Sequence, residues 1–166
     1  MKKVFILIGP KGSGKTFIGK IIEKRLNILF VMIEDIFRKI QSKHITSREN
    51  IIKGYHEVEV TIESILSEND SVCFESTGLA KEFWLLVDNL KKKYEVRLIS
   101  VFAPLDICLD RIQKRNSLVH ISISMEDIRK LNQASADLQF KSALQIDTSK
   151  VSEDEIVDLF KPLTIR

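Results

Sequence analysis

Eight consecutive residues, Gly9-Pro10-Lys11-Gly12-Ser13-Gly14-Lys15-Thr16, follow the pattern G-x-x-x-x-G-K-[S/T] in full. Each residue type has a task in holding a polyanion. Glycines let the backbone turn its N–H groups inward around anionic oxygens with no Cβ in the way. A helix beginning at Gly14 would add its positive N-terminal end. The Lys15 ammonium would reach β- and γ-phosphates, and the Thr16 hydroxyl suits a Mg2+ ion. At average composition the pattern arises about once in 30,000 start positions, so a chain of 166 residues is not expected to hold it by accident. Residues 9–16 therefore predict a site for a nucleoside triphosphate with Mg2+. Loops of this kind serve kinases, switch GTPases and motor ATPases alike, so binding alone does not fix a reaction.

Other residues could act on the terminal phosphate. The second apolar run closes with Met32-Ile33-Glu34-Asp35-Ile36-Phe37-Arg38. In a parallel sheet, strand ends near the phosphate loop face one crevice. An acid there could take the proton of an attacking hydroxyl or hold Mg2+ through water. Asp35 is the first choice, with Glu34 the alternative. Arg38, three residues along a helix, falls on the side of Asp35. It could clamp a phosphate or carboxylate on an acceptor, although the same spacing also suits an ordinary surface pair. Glu75, in Cys73-Phe74-Glu75-Ser76-Thr77-Gly78, follows a third apolar run and suits either Mg2+ or substrate. The sequence there is not the D-x-x-G of a GTPase switch. Arg111 and Arg115, four apart, share one face of a helix end, and a polar stretch follows over 116–124. A hinged segment at 111–124 could close over the triphosphate, with Arg115 stabilising the transferring phosphoryl group and water kept out. A solvated basic helix end is the plainer alternative. The loop after 144–146 could offer backbone groups to a base, while Asp147 could equally be a turn former.

Strand-like and helix-like segments alternate to the end, which predicts an α/β fold with a parallel sheet covered on both faces. Strands are expected at 4–8, 28–33, 71–74, 96–102 and 143–146. Helices are expected at 14–26, 35–41, about 47–67, 81–93, 104–115, from 125 with Ser124 as cap, and at 154–160. Thr46-Ser47-Arg48-Glu49 matches a capping box for the long third helix. The whole of 1–166 reads as a single domain.

Composition excludes several classes. Apolar residues make up 44% of the chain, enough for a core, and the net charge is only +3. That balance suits an ordinary solvated surface better than a nucleic-acid patch. No apolar run approaches the ~18 residues a membrane span needs. The short run at 4–8 lacks a cleavage site and reads as a strand, so a cytoplasmic protein is expected. Cys73 and Cys108 lie in apolar contexts and read as core thiols. His44, His56 and His120 share no metal spacing.

Together these residues resemble the small P-loop kinases, the clan of nucleoside monophosphate kinases, shikimate kinase and polynucleotide 5′-kinase, over nearly the whole chain. MKKVFILIGPKGSGKT and IEDIFRKI are similar to the polynucleotide-kinase and AAA-type ATP-binding kinase branch, which implies that Asp35 carries catalysis and Arg38 binds the acceptor. RIQKR resembles the R-x-x-x-R that opens adenylate kinase lids, which implies Arg111 against adenine and Arg115 against phosphates. FESTGL is similar to the third-strand motif of zeta-toxin-like kinases, which implies Glu75 beside the acceptor. IDTSK resembles the adenine loop of the clan, with Ser149 as its contact. The resemblance also implies a three-layer P-loop NTPase fold, strand order 2-3-1-4-5, with ATP and Mg2+ bound. Departures leave the acceptor open. Glu75-Ser76-Thr77-Gly78 replaces the glycine triplet of shikimate kinases, and Ile33-Glu34 stands where adenylate kinases carry Thr-Gly.

The resulting expectation is an ATP-dependent kinase acting on a hydroxyl or phosphate of a small-molecule or nucleotide acceptor, with a nucleic-acid end less favoured. The segment 42–69 is expected to cover the acceptor. The protein would work as a monomer or homodimer, off the membrane. A nucleotide-binding regulatory module and an ATP or GTP hydrolase are the alternatives, although no N-K-x-D guanine motif occurs.

Overall fold

The computed structural model describes residues 1–40, 48–116 and 124–165. Its centre is β1 (Lys3–Ile8), whose six residues are all buried. A strand flanked on both edges and covered on both faces needs such a continuous run. Beside it lie β3 (Ser71–Ser76) and β4 (Glu95–Phe102), both parallel to it. Outside these come β2 (Leu29–Val31) against β3 and β5 (Leu144–Asp147) against β4. The sheet order is β2-β3-β1-β4-β5, as the resemblance implied.

The helices are α1 (Lys15–Leu26), α2 (Ile33–Ile40), α3 (Arg48–Glu68), α4 (Lys81–Lys93), α5 (Leu105–Asn116), α6 (Met125–Ala136) and α7 (Glu153–Thr164). Successive side chains of β1 enter opposite layers. Val4, Ile6 and Ile8 pack with Val58 and Ile62 of α3 and with Phe83 and Val87 of α4. Phe5 and Leu7 pack with Ile18 and Ile22 of α1 and with Phe160 of α7. Each of these fully buried side chains contributes about 1.5–3 kcal/mol relative to exposure, so the strand is the rigid floor of the molecule. The functional loops leave from its C-terminal edge.

Element ends differ from the sequence expectation in ways that matter for the site. β2 stops at Val31 and α2 already starts at Ile33, so Glu34 and Asp35 sit in a helical first turn. Two acids there complement the positive helix end, and this local preference cuts the apolar run short. β3 continues to Ser76, which puts Glu75 inside the strand, in register with Leu7 of β1. Of the expected capping box, Thr46 and Ser47 lie outside the described residues. At α6 the expected cap is present: Ser124 Oγ accepts the Asp127 N–H at 3.1 Å. At the far edge, buried Lys3 donates Nζ to the carbonyls of Leu163 (2.9 Å) and Ile165 (2.6 Å), tying the end of α7 to β1. Both cysteines are buried free thiols. Among the described residues, no helix is long and apolar enough to cross a membrane.

Candidate active site

The chain leaves β1 at Ile8 and curls through 9–14 before α1 begins. Gly12 and Gly14 take the left-handed φ values of 80° and 97° that other residues avoid. Space is also denied to a side chain. A Cβ on Gly12 would stand 2.4 Å from the Cys108 carbonyl oxygen, and one on Gly14 would stand 2.9 Å from Thr148 Cγ2. The loop is thus pressed between α5 and the turn after β5. The Gly9 N–H bonds the Ser76 carbonyl at 3.2 Å, and the Ser13 N–H closes a turn onto Pro10 at 3.2 Å.

Lys15 folds back under this curl. Its ammonium donates to the carbonyls of Gly9 and Pro10, both at 2.8 Å, and the residue is only 8% exposed. Burial lowers its pKa to about 8, outweighing the carboxylates of Glu75 and Glu34 that pull it upward. Beside it, Ser13 Oγ is buried with no hydrogen-bond partner, the one such side-chain atom among the described residues. A glycine cradle, a desolvated cation and an unpaired hydroxyl together fit a polyphosphate, whose oxygens can accept from all of them.

The sign of the pH response follows. A Lys pKa lowered by folding costs stability below about pH 8, and that cost disappears as the pH rises from 8 toward 10.5. A bound polyphosphate favours the charged form and raises the pKa again. The contribution of Lys15 to nucleotide affinity should therefore be constant below pH 8, and affinity should fall by about tenfold per pH unit above it. Calorimetric titration at pH 7, 8, 9 and 10 checks this, with proton uptake on binding expected between pH 8 and 9. Affinity unchanged at pH 10 would contradict the buried-lysine assignment.

Thr16 heads α1 and donates Oγ1 to Glu75, at 2.9 Å to Oε1 and 3.1 Å to Oε2. Glu75 is 8% exposed. Burial raises its pKa, while Lys15 and the Thr16 hydroxyl act against the rise. A hydroxyl and a buried carboxylate in contact form an oxygen donor set suited to a hard cation such as Mg2+. The structure therefore puts Glu75 in direct contact with Thr16, the last residue of the glycine-rich motif.

The acids of α2 divide. Asp35 Oδ1 pairs with Arg38 Nη1 at 3.2 Å, their side chains 50% and 75% exposed. The charge of Glu34 instead reaches Lys15 and Glu75. On the other wall, Arg111 Nη1 donates to Thr148 Oγ1 at 2.9 Å and to the Gly12 carbonyl at 3.2 Å, and Nη2 donates to the Thr148 carbonyl at 3.3 Å. Thr148 Oγ1 in turn donates to the Ser13 carbonyl at 2.6 Å. Arg111 is thus built into the outer side of the phosphate loop. Arg115, one turn on, is exposed, and its charge reaches Glu75. Ser149 is exposed, with its N–H and Oγ both on Asp147 Oδ1, at 3.0 and 2.6 Å. Of the expected lid at 111–124, residues 117–123 lie outside the described residues.

Three residues were not picked out from the sequence. Thr148 links Arg111 to the loop, Asn132 of α6 bonds the Lys11 backbone, and Ser135 of α6 donates to the Thr77 carbonyl at 2.7 Å. A signal existed for the last two. Ile128, Asn132 and Ser135 step by four and three along α6, so two polar residues occupy the buried stripe of a helix.

Comparisons with known proteins bear on the family and the fold. The model of the AAA domain family matches residues 4–135. Shikimate kinase of Sulfurihydrogenibium sp. (strain YO3AOP1) is 27% identical over 164 residues, 95% of each chain. A candidate kinase from Chloroflexus aurantiacus superposes with a TM-score of 0.73 at 18% identity, covering 98% of this chain and 95% of that one. The APS kinase of Mycobacterium tuberculosis, solved with AMPPNP and APS, gives a TM-score of 0.67 at 11% identity over 99% of this chain and 98% of its own. The family match spans most of the sequence, and the protein accordingly belongs to the AAA domain family, with the fold of the P-loop kinases.

Proposed function

We propose that the protein is an ATP-dependent kinase that moves the γ-phosphate of ATP to a hydroxyl acceptor. The observation that carries this reading is one connected cluster at the C-terminal edge of the sheet. There a buried ammonium (Lys15), a hydroxyl (Thr16) and a carboxylate (Glu75) meet beneath a glycine cradle. Residues 9–16 would hold the triphosphate. Thr16, with Glu75 behind it, would hold Mg2+, which supplies charge neutralisation at the phosphates when bound. Lys15 and Arg115 would stabilise charge on the transferring phosphoryl group. Arg111 and Ser149 would flank the base.

The acceptor side supports a hydroxyl over a phosphate. The charges of Glu34 and Glu75 both act on Lys15, so two carboxylates stand near the ammonium of the loop. An acidic wall repels an anionic acceptor but suits removal of a hydroxyl proton. Asp35 would take that proton while Arg38 holds the acceptor. Glu34, whose charge reaches Lys15, is the second reading for the base. α3 would cover the acceptor; it packs on α2 where Gly54 lets Phe37 approach, its missing Cβ leaving space 2.3 Å from the ring. The relatives named above are called kinases, which supports phosphoryl transfer but not a particular acceptor.

The test is a panel with γ-labelled ATP: polyols, hydroxy acids, nucleosides, a 5′-hydroxyl oligonucleotide and nucleoside monophosphates. Label is expected on a hydroxyl compound. Label on monophosphates alone would move the acceptor class. Phosphate release at the same rate with and without every acceptor would make the protein a hydrolase. Tight binding without turnover would make it a nucleotide-dependent regulatory module.

A further inference from the structure

The phosphate loop is fastened from outside by a helix distant in sequence. Asn132 of α6 is 1% exposed, and its amide meets both backbone groups of one loop residue, Lys11, which belong to two successive peptide units. Oδ1 accepts the Lys11 N–H at 2.9 Å, and Nδ2 donates to the Lys11 carbonyl at 2.9 Å. This two-bond ring is what a neighbouring strand would make with that residue. Three residues on, Ser135 is 4% exposed and donates Oγ to the Thr77 carbonyl at 2.7 Å. Thr77 follows β3, two positions after Glu75. Ile128, buried one turn before Asn132, seats the helix. One helix therefore grips both rims of the crevice, the loop that cradles phosphate and the strand end that carries Glu75.

The direction of the Asn132 bonds matters more than their number. A loop that wraps an anion must turn amides inward and keep carbonyls out, because a carbonyl dipole aimed at a phosphate repels it. Lys11 stands in the middle of the curl, before Gly12 with its left-handed φ. If its peptide flipped, the carbonyl would be free to point at the ligand. Asn132 holds that carbonyl with a donor and removes the choice. An apolar residue in the stripe would bury equally well but leave both Lys11 groups without this partner.

We propose that Asn132 is a positioning residue for nucleotide binding: it fixes both peptide units at Lys11 so that the Lys11 carbonyl stays turned away from the polyphosphate. Ser135 performs the matching task for Glu75. This rests on the kinase reading of the same site. The variants are Asn132→Ala, Asn132→Asp and Ser135→Ala, with Gln133→Ala on the exposed face of α6 as control. A fluorescent ATP analogue is titrated directly, without turnover, and kcat is measured where an acceptor is known. Asn132→Ala should weaken the analogue by at least tenfold.

Asn132→Asp keeps the acceptor for the Lys11 N–H but loses the donor and adds a charge under the loop. Relative to the unsubstituted protein at the same pH, its affinity should fall further as the pH rises from 5 to 7. Ser135→Ala should lower kcat while leaving the analogue's Kd within twofold, and Gln133→Ala should change neither. Circular dichroism melts identify a variant that fails to fold, in which case the pH profile of Asn132→Asp decides. Analogue affinity within twofold of the unsubstituted protein in folded Asn132→Ala, or a flat profile in Asn132→Asp relative to that protein, overturns the proposal alone. No analogue binding by the unsubstituted protein overturns the kinase reading and the proposal with it.

Discussion

Replacing Lys15 by methionine should lower phosphoryl transfer by about 10³-fold, the cost of removing a donor aimed at developing charge, and yet make the ligand-free protein more stable. The two effects share a cause. Burial lowers the Lys15 pKa from 10.5 to about 8, so at pH 7 its charge costs the folded state about 3 kcal/mol. Methionine has a similar length and no charge to desolvate. It gives up two hydrogen bonds to the carbonyls of Gly9 and Pro10, each contributing about 1 kcal/mol net. About 1 kcal/mol of stabilisation remains, which is a rise of a few degrees in Tm for a chain of this size. The advantage should reverse at pH 10, where the native lysine is mostly neutral and most of its folding cost is gone, so that the two lost hydrogen bonds leave the variant about 1 kcal/mol less stable. Thermal melts at pH 7 and pH 10, with and without nucleotide, read the whole pattern. A variant several degrees less stable at pH 7 would show that the ammonium supports the loop rather than waits for a ligand.

The second large effect belongs to the acids at the head of α2. Asp35→Asn should cut transfer to the best hydroxyl acceptor by about 10²–10⁴-fold, the range for losing a general base. The Kd for ATP should stay within about twofold, since Asp35 pairs with Arg38 and not with the phosphate loop. Glu34→Gln is the necessary companion. Its charge reaches Lys15 and Glu75, so its loss should alter nucleotide affinity and spare most of kcat. Single-turnover rates and equilibrium titrations on both variants separate these roles. The reverse outcome, kcat lost in Glu34→Gln and kept in Asp35→Asn, would hand proton transfer to Glu34.

The sequence carries the phosphate loop openly because that loop is local: strand, glycines, lysine and helix are contiguous, and each residue type has its own reason. The strand order agrees with the family resemblance, not with any periodicity. Where a run of apolar residues meets acids, the pattern misleads. Ile33 reads as the end of a strand but begins α2, because Glu34 and Asp35 favour a helix start more than the run favours β structure. What stayed hidden is non-local. Thr16 meets Glu75 across 59 positions, and Asn132 meets Lys11 across 121. No spacing rule along the chain encodes such contacts. Thr148 beside Arg111 is of the same kind: the segment 147–150 suggested a base-binding loop, and only the folded arrangement shows its threonine bridging an arginine to the phosphate loop.

The two buried thiols give the molecule a pair of internal clocks. Cys73 lies in the middle of β3, whereas the Cys108 backbone presses against Gly12 from behind. The Cys73 thiol is packed in the layer between the sheet and α1, so an alkylating reagent can reach it only when that layer opens. The reagent reaches the second when α5 merely lifts from the phosphate loop. The gap between their two labelling rates therefore separates breathing of the nucleotide cradle from global opening.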